Sequence, residues 1–176
     1  MPTAGPDMLA LRLRELTEHG IVRRRRLLPA GVQVYELTPW GAELEPIVIG
    51  LGRWSSKSPS FDSDAPIGAD SLALSLKALF DPARADTLDA TISLSIDEDR
   101  LTVRIEAGRI DVTRGEAVRP DLALTADSNA LAAVMWGDGA IDDGTLKIGG
   151  DLDLAARFVT LFPLPTPADD LREADA

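Results

Sequence analysis

Apolar and polar residues alternate from Leu88 to Ala107, with one interruption at an acidic turn. Because a strand points successive side chains to opposite faces, this pattern predicts an antiparallel meander with one apolar face. Shorter alternating runs at 110–112 and 122–124 continue the sheet. An apolar face needs a cover, which predicted helices at 129–136 and 152–162 supply. The sequence therefore predicts an α+β domain with helices covering one face of an antiparallel sheet.

An unrelated pattern precedes this domain. The leucines of one helical face predict a first helix that ends at Gly20: Leu9, Leu13 and Leu16. Two strand-like runs follow, at 21–28 and 32–37, with the turn Pro-Ala-Gly between them. These runs predict a β-hairpin.

A further helix is predicted after the hairpin. Thr38 is suited to be its N-cap and Pro39 to be its first residue. Its apolar stripe is too wide to stay exposed on so small a segment, so the helix needs a partner helix. We predict that this stripe is a dimerisation surface, formed by Leu44, Ile47, Val48, Leu51 and Trp54.

Composition and charge divide the chain. Residues 58–68 are rich in Ser, Pro and Asp and show no periodicity, which is typical of a linker. We therefore predict a first segment at 1–57, a linker at 58–68, a second domain at 69–164 and an acidic tail at 165–176. The whole chain carries −11, but its first 57 residues carry +2, with eight basic and six acidic side chains. This asymmetry is compatible with a locally basic surface on an acidic protein.

The sequence argues against most catalytic and metal chemistry. It contains no Cys and one His, so disulfides, the usual zinc sites and nucleophilic triads are not expected. His19 stands immediately before the predicted helix stop, where a capping role suits it. The acidic turns at 97–99 and 142–143 lack EF-hand spacing, and the glycine pairs lack the Lys-Ser/Thr of a phosphate loop. We predict no enzyme activity, no cofactor and no metal.

The sequence also bears on location. No apolar run approaches the roughly 20 residues that cross a bilayer, and the first residues lack the charged and apolar regions of a signal peptide. We expect a cytoplasmic protein without a membrane span.

Residues 11–46, LRLRELTEHGIVRRRRLLPAGVQVYELTPWGAELEP, resemble the second half of the HxlR-type winged helix-turn-helix regulators. The resemblance implies that the first helix is a recognition helix, the hairpin is the wing and the last helix packs in a homodimer. Leu11 stands where relatives place a polar base-reading residue. The family domain begins with two more helices, so we expect the natural reading frame to extend upstream, or the dimer to cover the leucine face.

The basic residues of this segment are the candidates for DNA contact. On a strand, Arg23 and Arg25 point to one side and Arg24 and Arg26 to the other, so one pair at a time can face a row of phosphates. A solvated edge strand protected by its charge is the alternative. The candidate DNA-binding residues are Arg12, Arg14, Arg23, Arg24, Arg25 and Arg26.

Three motifs in the second domain are similar to those of the sterol carrier protein 2 (SCP2-like) family: VRIEAGRI at 103–110, PDLALTAD at 120–127, and LKIGGD at 146–151 followed by two phenylalanines. The resemblance implies an apolar tunnel between sheet and helices that accepts lipid-like ligands. A closed core needs the same residue types, so it stays an alternative. The candidate ligand-binding residues are Leu94, Val103, Ile105, Leu124, Leu131, Val134, Met135, Trp136, Phe158 and Phe162.

Together these patterns predict a bacterial DNA-binding transcriptional regulator with a C-terminal sensor for a lipid-like ligand. Its expected partners are DNA, an apolar small molecule and a second copy of the chain. The alternative is a non-enzymatic protein that binds an apolar small molecule and uses its N-terminal part for dimerisation alone.

Overall fold

The computed structural model describes residues 5–62 and 65–168. The chain forms two compact units, Met1–Val48 and Ile49–Ala176. The predicted limits at 57, 68 and 164 stay predictions of domain extent. Of the predicted acidic tail, residues 169–176 lie outside the described residues, whereas the Ala168 amide donates to the Lys57 carbonyl at 2.8 Å.

The first unit has the predicted order of helix, hairpin and helix. Thr38 Oγ1 accepts a hydrogen bond from the Gly41 amide at 2.9 Å, so the predicted N-cap is confirmed. None of the residues in the first helix is buried. The elements are α1 (Pro6–Glu18), β1 (Val22–Leu27), β2 (Val32–Leu37) and α2 (Pro39–Ala42).

The predicted long helix after the hairpin is interrupted. Helix α2 ends at Ala42, and a new helix, α3 (Glu45–Ser55), begins three residues later. Pro46 explains the break, because it has no N–H to donate to Ala42 and its ring would collide with that carbonyl. The division between the two units falls within α3, between Val48 and Ile49.

The second unit is an α+β fold that begins with the last turns of α3. Its elements confirm the predicted strands between 88 and 124 and the two predicted covering helices. The elements are α4 (Ala69–Leu79), α5 (Pro82–Ala85), β3 (Ala90–Ile96), β4 (Asp99–Glu106), β5 (Arg109–Arg114), β6 (Leu122–Ala126), α6 (Ser128–Trp136), β7 (Lys147–Gly150) and α7 (Leu152–Val159).

The sheet is mixed, which corrects the prediction of a wholly antiparallel one. Its strand order is β5-β4-β3-β6-β7, and β6 pairs parallel with β3 while the other neighbours are antiparallel. Asp121 fixes the crossover, because its carboxylate accepts from the Thr91 amide and its own amide donates to the Thr91 carbonyl, both at 2.8 Å. Alternation predicts that β6 is a strand with one apolar side. It does not specify which strand pairs with β6.

Helices α6 and α7 cover the apolar face of the sheet, as predicted, and α4 packs into the same core in addition. Phe158 on α7 meets Phe162 edge-on, with ring centroids 5.2 Å apart. Among the residues that the structure describes, no helix combines the length and apolar composition that crossing a bilayer requires.

Candidate DNA-binding and apolar-ligand sites

One face of the hairpin is largely neutralised. Arg23 lies opposite Glu36 in the strand register, and Arg25 lies opposite Val34. Glu36 Oε1 accepts from Arg23 Nε at 2.6 Å, and Glu36 Oε2 lies 3.0 Å from Arg25 Nε. One carboxylate therefore holds two guanidinium groups, which leaves this face with a single net positive charge.

The opposite face keeps its full charge. Arg24 lies over the Tyr35 ring, 5.5 Å from the centroid, and its Nε donates to the tyrosine hydroxyl at 3.2 Å. Arg26 Nε donates to the Gly31 carbonyl at 3.2 Å. Within residues 5–62 and 65–168, neither guanidinium makes an ion pair. Both are held by neutral groups and keep further N–H donors for an anion.

The candidate residues on α1 differ from those on the hairpin. Arg12 pairs with Glu15 at 2.7 Å, one helical turn away, while Arg14 is exposed. Leu11 is 44% exposed on the same helix. His19 caps α1, because its Nδ1 donates to the Glu15 carbonyl at 2.8 Å, which agrees with the predicted capping role.

The predicted dimerisation stripe is open to solvent in this single chain. Trp54 is 71% exposed and Leu51 is 60% exposed. The remaining members are also exposed, namely Leu44, Ile47 and Val48.

The predicted ligand-binding side chains form a packed core. Three are partly buried against this core, Val134, Met135 and Trp136, and their role as ligand contacts stays a prediction like that of the others. The other seven are at most 1% exposed and pack in one cluster: Leu94, Val103, Ile105, Leu124, Leu131, Phe158 and Phe162.

An apolar pocket of about 190 Å³ lies beside this core. Of the ten predicted ligand residues, Trp136 lines it and the other nine do not. The pocket opens between α4, α6 and the chain that precedes α4. Its walls are Phe61, Asp62, Ala65, Pro66, Ile67, Ser75, Leu79, Ala132 and Trp136.

Two hydrogen bonds fix the pocket walls. Trp136 Nε1 donates to the Phe162 carbonyl at 2.9 Å, which orients the indole. The Ile67 amide donates to Asn129 Oδ1 on α6 at 3.0 Å, which ties the preceding chain to that helix. Both polar groups have partners within the protein, and the pocket walls are mainly apolar.

The acidic turns have structural partners. Asp99 pairs with Arg114. Asp143 Oδ1 accepts from the Thr145 hydroxyl at 2.6 Å and from the Thr145 amide at 2.8 Å, and these bonds hold the pKa of Asp143 below its ordinary value. The described residues contain no group of three His, Asp or Glu side chains that could hold a metal ion.

Comparison with protein families decides the classification of the second unit. The model of the SCP-2 sterol transfer family matches residues 72–163, which is more than half of the chain. The chain belongs to the SCP-2 sterol transfer family. The model of the HxlR-like helix-turn-helix matches residues 1–61. The chain thus joins a segment matched by the HxlR-like helix-turn-helix model (1–61) to an SCP-2 domain (72–163).

One similar solved structure supports this fold. The stereoselective inverting sec-alkylsulfatase from Pseudomonas sp. is 19% identical, with a TM-score of 0.52, over 62% of this chain and 19% of its own. This chain therefore spans about a fifth of the sulfatase, and the likeness concerns the fold alone. Palmitated SCP2L2 from Aedes aegypti is 20% identical, with a TM-score of 0.43, over 53% of this chain and 92% of its own. No curated protein matches the chain.

Sequence reasoning missed most of the residues that line the pocket. Phe61 and Ile67 were assigned to the linker, yet both line the pocket. They are the large apolar side chains of an otherwise polar stretch, and that contrast was the available signal. Ser75 and Leu79 lie on α4, and their position on the pocket side depends on tertiary packing.

Proposed function

We propose that this chain is a transcriptional regulator whose wing, the β1–β2 hairpin, holds DNA, and whose DNA binding is controlled by an apolar small molecule. One observation carries the DNA half of this proposal. The Arg24 and Arg26 face of the wing bears two cations without a carboxylate partner among the described residues, whereas Glu36 neutralises much of the other face. The HxlR-like match supports this assignment.

The wing chemistry suits phosphate rather than base recognition. A guanidinium held over a tyrosine ring keeps its orientation and its charge, and it can donate to phosphate oxygens. Such contacts fix the position of a protein on DNA without specifying sequence. The wing would therefore supply affinity and a strong dependence on salt.

The ligand half of the proposal rests on SCP-2 family membership and on the pocket at Trp136. The pocket walls are mainly apolar, with Ser75 and Asp62 as polar members, so an apolar or weakly amphipathic molecule suits them. A volume of about 190 Å³ is below the roughly 300 Å³ at the lower end of ligand pockets. A complete ligand would therefore have to displace part of the wall.

The dimer belongs to the same proposal. Helix α3 exposes Leu51 and Trp54, two large apolar side chains that a second copy of the chain could cover. A pair of wings would double the number of phosphate contacts, which favours a homodimer as the DNA-binding form.

We further propose that the chain performs no catalysis of its own. The sequence holds one imidazole and no thiol, and the imidazole of His19 is engaged at the end of α1. This supports a binding function over acyl transfer or another reaction that needs a side-chain base.

A carrier of apolar ligands, with an N-terminal part used for dimerisation alone, is the second candidate. The exposed Leu11 on α1 and the pairing of Arg12 with Glu15 favour it, because both weaken α1 as a reader of bases. It shares the ligand pocket with the first candidate and differs from it in DNA binding.

The wing experiment separates the two candidates. Full-length protein with Arg24→Ala and Arg26→Ala would be compared with Arg23→Ala and Arg25→Ala in a fluorescence anisotropy titration of duplex DNA at several salt concentrations. The two double variants lose the same charge, so a difference between them reports position. We expect the first pair to weaken binding on all sequences and to flatten the salt slope by about 0.9 per lost phosphate contact. Equal losses, or no DNA binding by the parent protein, would favour the carrier.

The pocket experiment uses two serines of α4. Ser75 lines the pocket and Ser71, one turn earlier, is exposed and does not. Ser75→Phe should abolish saturable binding of a dansyl-labelled fatty acid, because the ring fills the pocket, and Ser71→Phe should leave it unchanged. Binding that survives Ser75→Phe would place the ligand elsewhere in the domain.

A further inference from the structure

Arg53 on α3 caps the C-terminal end of α4. Its Nε donates to the Ala78 carbonyl at 2.7 Å, and its Nη2 donates to the Phe80 carbonyl at 3.5 Å. The last carbonyls of a helix have no partner within the helix, and a cation suits the negative end of the helix dipole. One side chain of α3 thus supplies a donor to two carbonyls at the end of α4.

The backbones of the two helices are also close. A Cβ added at Gly52 would lie 3.5 Å from the Ala78 Cβ, so α3 approaches α4 at ordinary contact distance. Ser56 is buried, and its hydroxyl donates to the Arg53 carbonyl at 2.9 Å. The last turns of α3 are therefore packed as part of the second unit.

The same end of α4 forms a wall of the ligand pocket. Ser75 and Leu79 line the pocket. Leu79 also lines an open groove of about 260 Å³ that Arg53 borders. One helical turn of α4 thus lies between the pocket and the side chain that holds α3.

The pocket has to enlarge to accept a complete ligand, as its volume shows. Displacing a wall that packs on the closed core would lose many contacts. Leu79 belongs to the edge of the core, but it also borders the open groove, so it is a pocket wall with free space on its far side into which it can move. Its movement shifts the Ala78 and Phe80 carbonyls, which are the two acceptors of Arg53.

We propose that Arg53 transmits occupancy of the pocket to α3, so that ligand binding repositions the exposed Leu51 and Trp54. The proposal rests on the proposed function, because it requires a ligand in the pocket at Trp136. It goes beyond that function by naming the residue that couples the ligand to the candidate dimerisation surface. Coupling of this kind requires different ligand affinities for two arrangements of α3.

Fluorine NMR of full-length protein labelled with fluorotryptophan tests the proposal, with laurate as the ligand. Trp136 lines the pocket and reports binding directly, and Trp54 reports the position of α3. Replacing each tryptophan in turn with Phe assigns the resonances. In the parent protein we expect laurate to shift the resonances of both Trp136 and Trp54.

The Arg53→Met variant should separate the two signals. We expect the Trp136 resonance to shift with laurate as in the parent, which also shows that the domain is folded, and the Trp54 resonance to stay in place. Lys57→Met removes an exposed cation just beyond α3 and should behave as the parent. Arg53→Lys keeps the charge but loses the planar guanidinium, whose nitrogens reach two carbonyls at once. In this variant the shift of the Trp54 resonance with laurate should be reduced.

Two other results have distinct meanings. A Trp54 shift that persists in Arg53→Met, or one absent from the parent while Trp136 responds, would overturn the coupling and leave Arg53 as a helix cap alone. A Trp136 resonance that laurate does not move in the parent would overturn the ligand site of the proposed function, and the coupling with it.

Discussion

Glu36 lies directly opposite Arg23 in the wing and accepts its Nε hydrogen at 2.6 Å, while its other carboxylate oxygen lies 3.0 Å from Arg25. The carboxylate is three-quarters buried between the two guanidinium groups. A run of four arginines is thus divided by one acidic residue into a largely neutralised face and a charged face. The division follows from strand geometry, because residues two apart share a side.

Replacing Glu36 with Gln should strengthen DNA binding. The change removes a negative charge from the wing, so affinity should rise on all sequences, whereas the salt slope should change by less than about one unit because Arg23 and Arg25 point away from the proposed phosphate-facing side. Anisotropy titrations of random-sequence duplexes measure both quantities. Glu43→Gln, at an exposed position, makes the same change in net charge. An equal effect of both variants would contradict a specific role for the Glu36 pairs.

Gly41→Ala should destabilise the first unit. A Cβ at position 41 would lie 2.0 Å from the Ile21 carbonyl oxygen, so backbone must move. Overpacking of this kind costs about 1–3 kcal/mol. Gly50→Ala in α3 meets nothing within 4 Å and should gain up to about 1 kcal/mol from helix propensity. Urea denaturation followed by circular dichroism compares the two, and equal stabilities would show that the close approach is wrong.

Leu131→Ala should cost the SCP-2 domain about 2–5 kcal/mol, because Leu131 is fully buried in the core. Leu152→Ala makes the same change on α7 at a side chain that is 67% exposed, and its effect should be within about 0.5 kcal/mol. The free energies of unfolding come from urea titrations of the full chain. A small loss at Leu131 would indicate a loosely packed interior with room for a ligand.

Thr145→Val should raise the pKa of Asp143 towards its ordinary value, because the hydroxyl bond is the main cause of the lowered pKa. The remaining bond from the backbone amide should keep that pKa somewhat low. A lowered folded-state pKa stabilises the fold above the unfolded-state pKa, and this stability is lost as the pH falls through the folded-state pKa. The variant should therefore lose less stability on acidification. Carboxyl carbon NMR shifts followed against pH measure the effect, and an unchanged Asp143 pKa would refute it.

Local chemistry explains why parts of the first unit could be predicted. The turn Pro29–Gly31 joins two strand-like runs, and Thr38 carries the cap that its residue type favours. In the SCP-2 domain, alternation identified β3, β4, β5 and β6, whose core-facing residues alternate with outward-facing ones. These features depend on residues that are neighbours in the chain.

The remaining features depend on distant residues. The parallel pairing of β3 with β6 requires a crossover that Asp121 fixes, and no periodicity encodes it. The pocket depends on how Phe61 and Ile67 pack against α4 and α6, which the polar composition around them concealed. The predicted ligand residues were chosen by apolar character, and apolar character selects a core as readily as a cavity.

The parallel pairing of β3 and β6 also sets the order in which the sheet can be completed during synthesis. Ile92 on β3 can pair with Leu122 on β6 only after about thirty more residues have been synthesised. Strands β3, β4 and β5, in contrast, can pair as soon as they leave the ribosome. Until β6 arrives, the nascent meander has an open edge at the strand that later lies at the sheet centre, and open edges recruit other strands. A chain cut before Leu122 would keep that edge and be prone to aggregate.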